Sequence, residues 1–254
     1  MRAALALALA AGLLGAGQAR PPAVVRVAAA ADLKFALDEI AVRLSRRDPP
    51  IRVDATYGSS GSMHAQLRQR APFDVYLSAD IGYPRDLVAR GIGSSRDLFT
   101  YATGRLVVWV PAGSTLPIER DGVRALEGAR RIAIANPRHA PYGRAAEAVL
   151  RSAGLWAHVR PRLVMAENVA QAAQFGQSGA ADAAIIARSL AVNPALRAGR
   201  LLDVDPGTHP PVIQGGLILP WTGSRAAAET FRDYLLSAEG RDLLAEYGFG
   251  PAGD

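Results

Sequence analysis

The sequence of 254 residues carries 29 basic and 23 acidic side chains, is half apolar and 20% charged, and contains no cysteine. That length holds one or two domains, and the apolar share is too high for wholesale disorder. Zero cysteine excludes disulfides, cysteine-based zinc or iron–sulfur ligation, a thiol nucleophile and an acylated lipoprotein anchor, and the single lysine, Lys34, precedes Phe35 and so cannot complete a Gly-Lys-Ser/Thr phosphate loop.

Residues 1–19 read as an export leader. Arg2 gives a short positive start, Ala3–Gly15 is an apolar run too short to span a bilayer, and Gly17 and Ala19 are small residues at the cleavage positions. Cleavage is expected after Ala19, which places the mature, soluble chain in a periplasm. Val24–Ala31 then predicts a buried strand, and Leu33, Leu37, Ile40, Ala41 and Leu44 follow helical spacing. Ile51–Tyr57 alternates like a strand, Gly58–Ser62 is a Gly/Ser turn, and a helix carries Met63 and Leu67. Phe73–Ser78 is a third strand and Leu106–Val110 a strongly apolar fourth. Arg131–Ala135 predicts a strand, Pro141–Ser152 a helix stopping at Gly154, Leu163–Ala166 a strand and Val169–Gln177 a helix opened by Asn168. Ala183–Ala187 predicts a further strand, and Gly215–Pro220 leads into an amphipathic C-terminal region. Strands alternating with helices predict βαβ units and mainly parallel sheets.

Searches for catalytic and cofactor chemistry return little. His64, His139, His158 and His209 are scattered without metal-ligand spacing, and no GxGxxG follows the first strand. A nucleophile elbow would need Gly where Ser62 stands. The 28 arginines lack aromatic interleaving, so they predict a solvated surface and no nucleic-acid partner. What remains is four turns from strand to helix: Ala30–Leu33, Gly58–Gly61, Asn136–Gly143 and Glu167–Val169. Helix N-termini carry unpaired N–H groups and partial positive charge, so several converging on one point form an anion site without Arg or Lys. Asp32, Ser60 and Asn168 could also serve simply as helix N-caps.

The order and spacing of these motifs resemble the periplasmic molybdate-binding proteins, the solute receptors of molybdate/tungstate ABC importers. The likeness runs from V-x-A-A-A-A-D-L through G-S-S-G-S, Phe73–Asp80, Gly104–Pro111, Asn136–Gly143 and Glu167–Ala172 to Tyr247-Gly248-Phe249. It implies an α/β type II periplasmic binding protein fold, two lobes with mainly parallel sheets joined by a two-strand hinge. The first lobe is placed at 20–102 and 214–254, the second at 103–213, and the hinge near Thr100–Gly104 and Ile213–Gly216. The resemblance implies a tetrahedral oxyanion held by hydroxyl and backbone N–H donors. Carried over, Ser60 donates its hydroxyl and N–H, and Tyr142 and Val169 donate backbone N–H groups.

Two positions depart from that pattern. Asp32 stands where many members have Ser and some Asn, and Ala187 where many have Tyr. An ionised Asp accepts hydrogen bonds only, and repels a dianion. Three readings of Asp32 stay open: it turns away to cap its helix while its N–H binds, it is protonated in the closed cleft, or it accepts a proton carried by hydrogenphosphate or arsenate. The expected function is a molybdate or tungstate receptor, monomeric, partnered by an ABC permease, with no cofactor, no metal-cation site and no enzymatic activity. A phosphate or arsenate receptor is the alternative. A secreted serine hydrolase using Ser60, with His64 as the nearby base, and an interaction module on the same fold are the remaining ones.

Overall fold

A computed structural model of the chain describes residues 22–253. The leader expected at 1–19 lies outside the described residues. Among the described residues ten strands form: β1 (Ala23–Ala30), β2 (Ile51–Gly58), β3 (Val75–Ser78), β4 (Leu98–Gly104), β5 (Leu106–Val110), β6 (Ile132–Ala135), β7 (Leu163–Ala166), β8 (Ala183–Ala187), β9 (Arg200–Asp203) and β10 (Val212–Ile218). The sequence pattern does not predict β4 or β9. Both lie at sheet edges, where one side of a strand has no partner. No residue of the four-residue β9 is fully buried, which leaves it no apolar face to read. The helix Gly82–Ala89 also escapes the periodicity, because Gly82 and Pro84 lower its intrinsic propensity.

The strands make two sheets of five, ordered β2-β1-β3-β10-β4 and β7-β6-β8-β5-β9. In the first, β1 pairs parallel with β2 and β3, and β10 pairs antiparallel with β3 and β4. In the second, β6 pairs parallel with β7 and β8, and β5 pairs antiparallel with β8 and β9. Each sheet is therefore mixed, with a single strand running against the rest. That strand is the one by which the chain enters the sheet from the other: β5 directly after β4, and β10 after β9.

Period-two alternation assigns the faces of the first sheet. Val25, Val27 and Ala29 pack with Leu37, Ile40 and Leu44 of the helix Lys34–Ser45 and with Phe231, Leu235 and Leu243 of the two C-terminal helices. Ala28, between them, faces Met63, Leu67 and Leu87 on the other side. Each fully buried leucine contributes about 1.5–3 kcal/mol. In the second sheet β5, β6 and β8 are buried along their whole length, so they read as continuous apolar runs. The helix Pro141–Ser152 covers them with Ala145, Ala146, Val149 and Leu150.

The parallel strands set the place of the site. β1 and β2 both deliver the chain to a helical start at one edge of the first sheet, and β6 and β7 do so in the second. Ligands of open α/β sheets bind outside such carboxyl ends.

Candidate functional site

The local chemistry of the four turns decides which groups are free. Ser59 is the N-cap of the helix Ser60–Arg68, its Oγ accepting from the Ser62 N–H at 3.3 Å. Ser60 is thus the first helical residue. Its own N–H has no intrahelical acceptor, and its Oγ accepts from the Ala79 N–H at 3.0 Å, which leaves the hydroxyl proton to donate. Asn168 caps the helix Val169–Gln177 by accepting from the Gln171 N–H at 3.0 Å, as a cap residue should, and Val169 opens that helix. Pro141 opens the helix Pro141–Ser152, where its missing N–H costs nothing, and Tyr142 follows. After β1 the residues Ala31–Leu33 form a 3-10 turn that leads into the helix Lys34–Ser45. Capping is therefore corrected at two of the three residues considered for it. Neither Ser60 nor Asp32 caps a helix, because Ser59 fills that role for one and no side chain fills it for the other.

The four turns meet around one small cavity. Its wall is made of Ala30–Asp32, Gly58–Ser60, Ala79, Ala140–Tyr142 and Asn168–Val169. Asp32, Ser60, Tyr142 and Val169 are thereby brought together, each no more than 4% exposed. Among the described residues no Arg, Lys or His lines the wall, and Asp32 is its one ionisable carboxyl group. Ala187 is placed apart: it ends β8, and its methyl group is buried in the apolar core of the second sheet. A larger open groove lies elsewhere, but Asp38, Glu39 and Glu246 face it alongside Arg197, a poor setting for an anion. Among the described residues no group of three or more His, Cys, Asp or Glu could hold a metal ion.

Asp32 points its carboxylate at the chain crossing between the sheets. Gln214 on β10 donates from Nε2 to Asp32 Oδ2 at 2.7 Å. The other oxygen, Oδ1, is buried without a hydrogen-bond partner. Ser189 donates its hydroxyl to the Asp32 carbonyl at 2.8 Å. Burial pushes the Asp32 carboxyl up to about 6, against the pull of Tyr142, of Gln214 and of its own backbone N–H. Burial, followed by the Asp32 charge, raises the phenols of Tyr101 and Tyr142 well above their ordinary value. Sequence reasoning misses Gln214. Its signal is a polar residue inside the apolar run of β10, where it is fully buried.

Around the cavity the two lobes touch. The Gly61 N–H donates to the His139 carbonyl at 2.9 Å, and a Cβ at Gly61 would come within 2.6 Å of that oxygen. Ser59 Oγ meets His139 Nδ1 at 2.9 Å, and Ser62 donates to Glu167 Oε1 at 2.9 Å. Arg144 pairs with Asp80 at 2.6 Å and donates to the Tyr83 hydroxyl at 3.1 Å. These contacts also bear on the hydrolase reading. His64, expected as the base, pairs instead with Asp86 at 2.8 Å. Ser60 Oγ is bonded to a backbone N–H, so the nucleophile–base pair that chemistry needs is not formed there.

A family model described as bacterial extracellular solute-binding protein matches residues 25–250, and the chain belongs to that family. Individual relatives are more specific. The molybdate-binding protein ModA of Azotobacter vinelandii is 32% identical over 247 residues, 97% of this chain and 96% of that protein. ModA of Rhodobacter capsulatus is 31% identical over 78% of this chain and 77% of its own. The solved periplasmic molybdate-binding protein of Azotobacter vinelandii matches with a TM-score of 0.84 at 31% identity, over 90% of this chain and 100% of that one.

Proposed function

We propose that this protein is an exported receptor that closes around a tetrahedral oxyanion, molybdate or tungstate, and hands it to an ABC permease. The observation that carries the reading is the meeting of four strand-to-helix turns at one small cavity without a cationic side chain. Such turns aim N–H donors and partial positive charge at a common point, which suits a dianion in a site closed to water. The likeness to proteins named as molybdate-binding supports the same ligand. Ser60 gives its hydroxyl and N–H, Tyr142 and Val169 give backbone N–H groups, and Asp32 contributes from its backbone. Ala187 brings no hydroxyl, so the site has one donor fewer than the family pattern implies.

In this reading residues 1–19 are removed after Ala19 and the monomeric protein works in the periplasm. The lobes, 20–102 with 214–254 and 103–213, rotate about the strands near Thr100–Gly104 and Ile213–Gly216. No bond is made or broken, and no cofactor takes part.

Calorimetric titration of the mature chain with molybdate, tungstate, sulfate, phosphate and arsenate at several pH values tests this. Dissociation constants of about micromolar or tighter are expected for the first two. Failure of both to bind at that concentration overturns the reading. Binding of phosphate or arsenate in their place supports the second reading, in which the unpartnered Asp32 Oδ1 accepts the ligand's proton.

A further inference from the structure

The hydrogen bonds around Gln214 admit a full accounting. The Tyr101 hydroxyl on β4 donates to Gln214 Oε1 at 3.0 Å, which fixes the carboxamide's orientation. Nε2 therefore faces the cavity side, with one hydrogen on Asp32 Oδ2 at 2.7 Å and the other on the Tyr142 hydroxyl at 3.3 Å. Having accepted there, the Tyr142 hydroxyl keeps its own proton for Asp32 Oδ1 or for an anion in the cavity. One fully buried side chain thus bridges both hinge strands, the 3-10 turn after β1 and the second-lobe helix that begins at Pro141.

The backbone is built to allow it. Across the register shift of β10 on β4, Gln214 pairs with Ala102 and Gly215 with Thr100, so the extra residue is Tyr101 on β4, and an irregularity of this kind re-aims the side chain that holds Gln214 Oε1. Gly104, which ends β4, leaves the room: a Cβ there would land on the Tyr142 hydroxyl and within 2.9 Å of Gln214 Nε2.

We propose that Gln214 is a positioning and specificity-determining residue, which holds the Asp32 carboxylate against the hinge so that a cleft with an acidic residue in its wall accepts a fully deprotonated dianion. The proposal rests on the oxyanion-receptor reading and deepens it. It explains how Asp32 stands where a neutral donor is usual. One carboxylate oxygen, Oδ2, is held by Gln214 on the hinge side, without capping a helix. The titratable groups that face Asp32 are the phenols of Tyr142, from the second lobe, and Tyr101, from β4. The Ser189 hydroxyl meets only its carbonyl, and no cation is hydrogen-bonded to it among the described residues. With no cation to neutralise the carboxylate, Gln214 at 2.7 Å holds Oδ2, and the Tyr142 hydroxyl is the other group among the described residues that acts on it.

The test is a double-mutant cycle read as a pH profile of molybdate affinity. Gln214→Met keeps the volume and removes the donor. Relative to the unmutated protein, its dissociation constant is expected to rise about tenfold or more at about pH 8, where the released carboxylate is ionised and faces the anion. At about pH 5.5 the carboxyl is protonated and the rise should shrink to about threefold or less. In an Asp32→Asn background the same Gln214→Met change should cost about threefold or less at either pH. Equal losses at both pH values, or in both backgrounds, overturn the proposal and leave Gln214 a packing residue. Gly104→Ala, which displaces the same two groups, serves if Gln214→Met does not fold, with the same pattern expected. If the unmutated protein binds no molybdate at any pH, it is the receptor reading that fails, and the two failures are distinct.

Discussion

Asp32 is the residue whose chemistry is most at odds with its surroundings. A carboxyl with a folded pKa of about 6, above its ordinary 3.8, binds more protons in the folded state than in the unfolded one. Stability therefore falls as pH rises between those values, by a total on the order of 3 kcal/mol. Asp32→Asn removes the titration, so the variant should gain on the unmutated, ligand-free protein as pH rises from about 4 to about 7. Denaturant unfolding at both pH values checks it, and an unchanged difference between the two proteins contradicts it. Ser60 carries the opposite expectation. Ser60→Ala removes a hydroxyl whose oxygen is already engaged by Ala79 and whose proton is free for the ligand. Molybdate affinity should fall about tenfold to a hundredfold, the value of a hydrogen bond to a charged group. Titration calorimetry reads this, and an affinity within about twofold of the original removes Ser60 from the ligand set. The role of Ser60 as a candidate is legible in the Gly/Ser turn; that its neighbour Ser59 does the capping is not, since adjacent serines differ only in backbone conformation.

At the scale of elements, the contact across the cavity depends on the helix starting at Ser60 meeting the segment around His139. Gly61 permits that approach, because its N–H reaches the His139 carbonyl where a Cβ would collide. Gly61→Ala should leave each lobe folded and weaken molybdate binding by about tenfold or more, the cost of overpacking at a close contact. Circular dichroism with titration separates the two effects; unchanged affinity would show that closure tolerates the extra atom. The Arg144–Asp80 pair is also a lobe-to-lobe contact, but both side chains are about 40% exposed. Such a pair is worth about 0–1 kcal/mol, so Arg144→Ala should change affinity by about fivefold at most, and less at high salt. Titration at low and high salt checks this. Long, strongly periodic elements such as Pro141–Ser152 and Val169–Gln177 are legible to the residue, because apolar spacing and start signals agree. The strands β4 and β9 and the helix Gly82–Ala89 are not, since their formation depends on neighbours that complete them.

For the whole molecule, the two mixed sheets are joined by paired chain crossings, and the proposed closure rests on that arrangement. A ligand that binds the folded chain only stabilises it by mass action, about 2.7 kcal/mol at a hundred times its dissociation constant. Molybdate should therefore raise the melting temperature of the mature protein in a concentration-dependent way. The same titration on Gly61→Ala should give a smaller rise at equal concentration. Equal rises would mean that the ligand does not need the two lobes in contact. The arginine excess predicts a solvated surface, and among the described residues the cavity wall holds none of those arginines. Arg144 and Arg188 instead pair with carboxylates on the surface, where charge is solvated and contributes little to a buried site.

By itself the sequence determined the alternation of strands and helices, the four turns and the residue types at them. Those are local properties, set by apolar period, turn chemistry and helix-start signals that act within a few residues. Only the tertiary structure decided where the Asp32 carboxylate points and which residue holds it. Its partner Gln214 is 182 positions away, brought to it by the return of the chain through β10. Tyr101 and Tyr142 converge on that same carboxamide from other strands and the other lobe. No local pattern encodes such a meeting, because it arises from sheet order and a bulge, not from the spacing of residues along the chain.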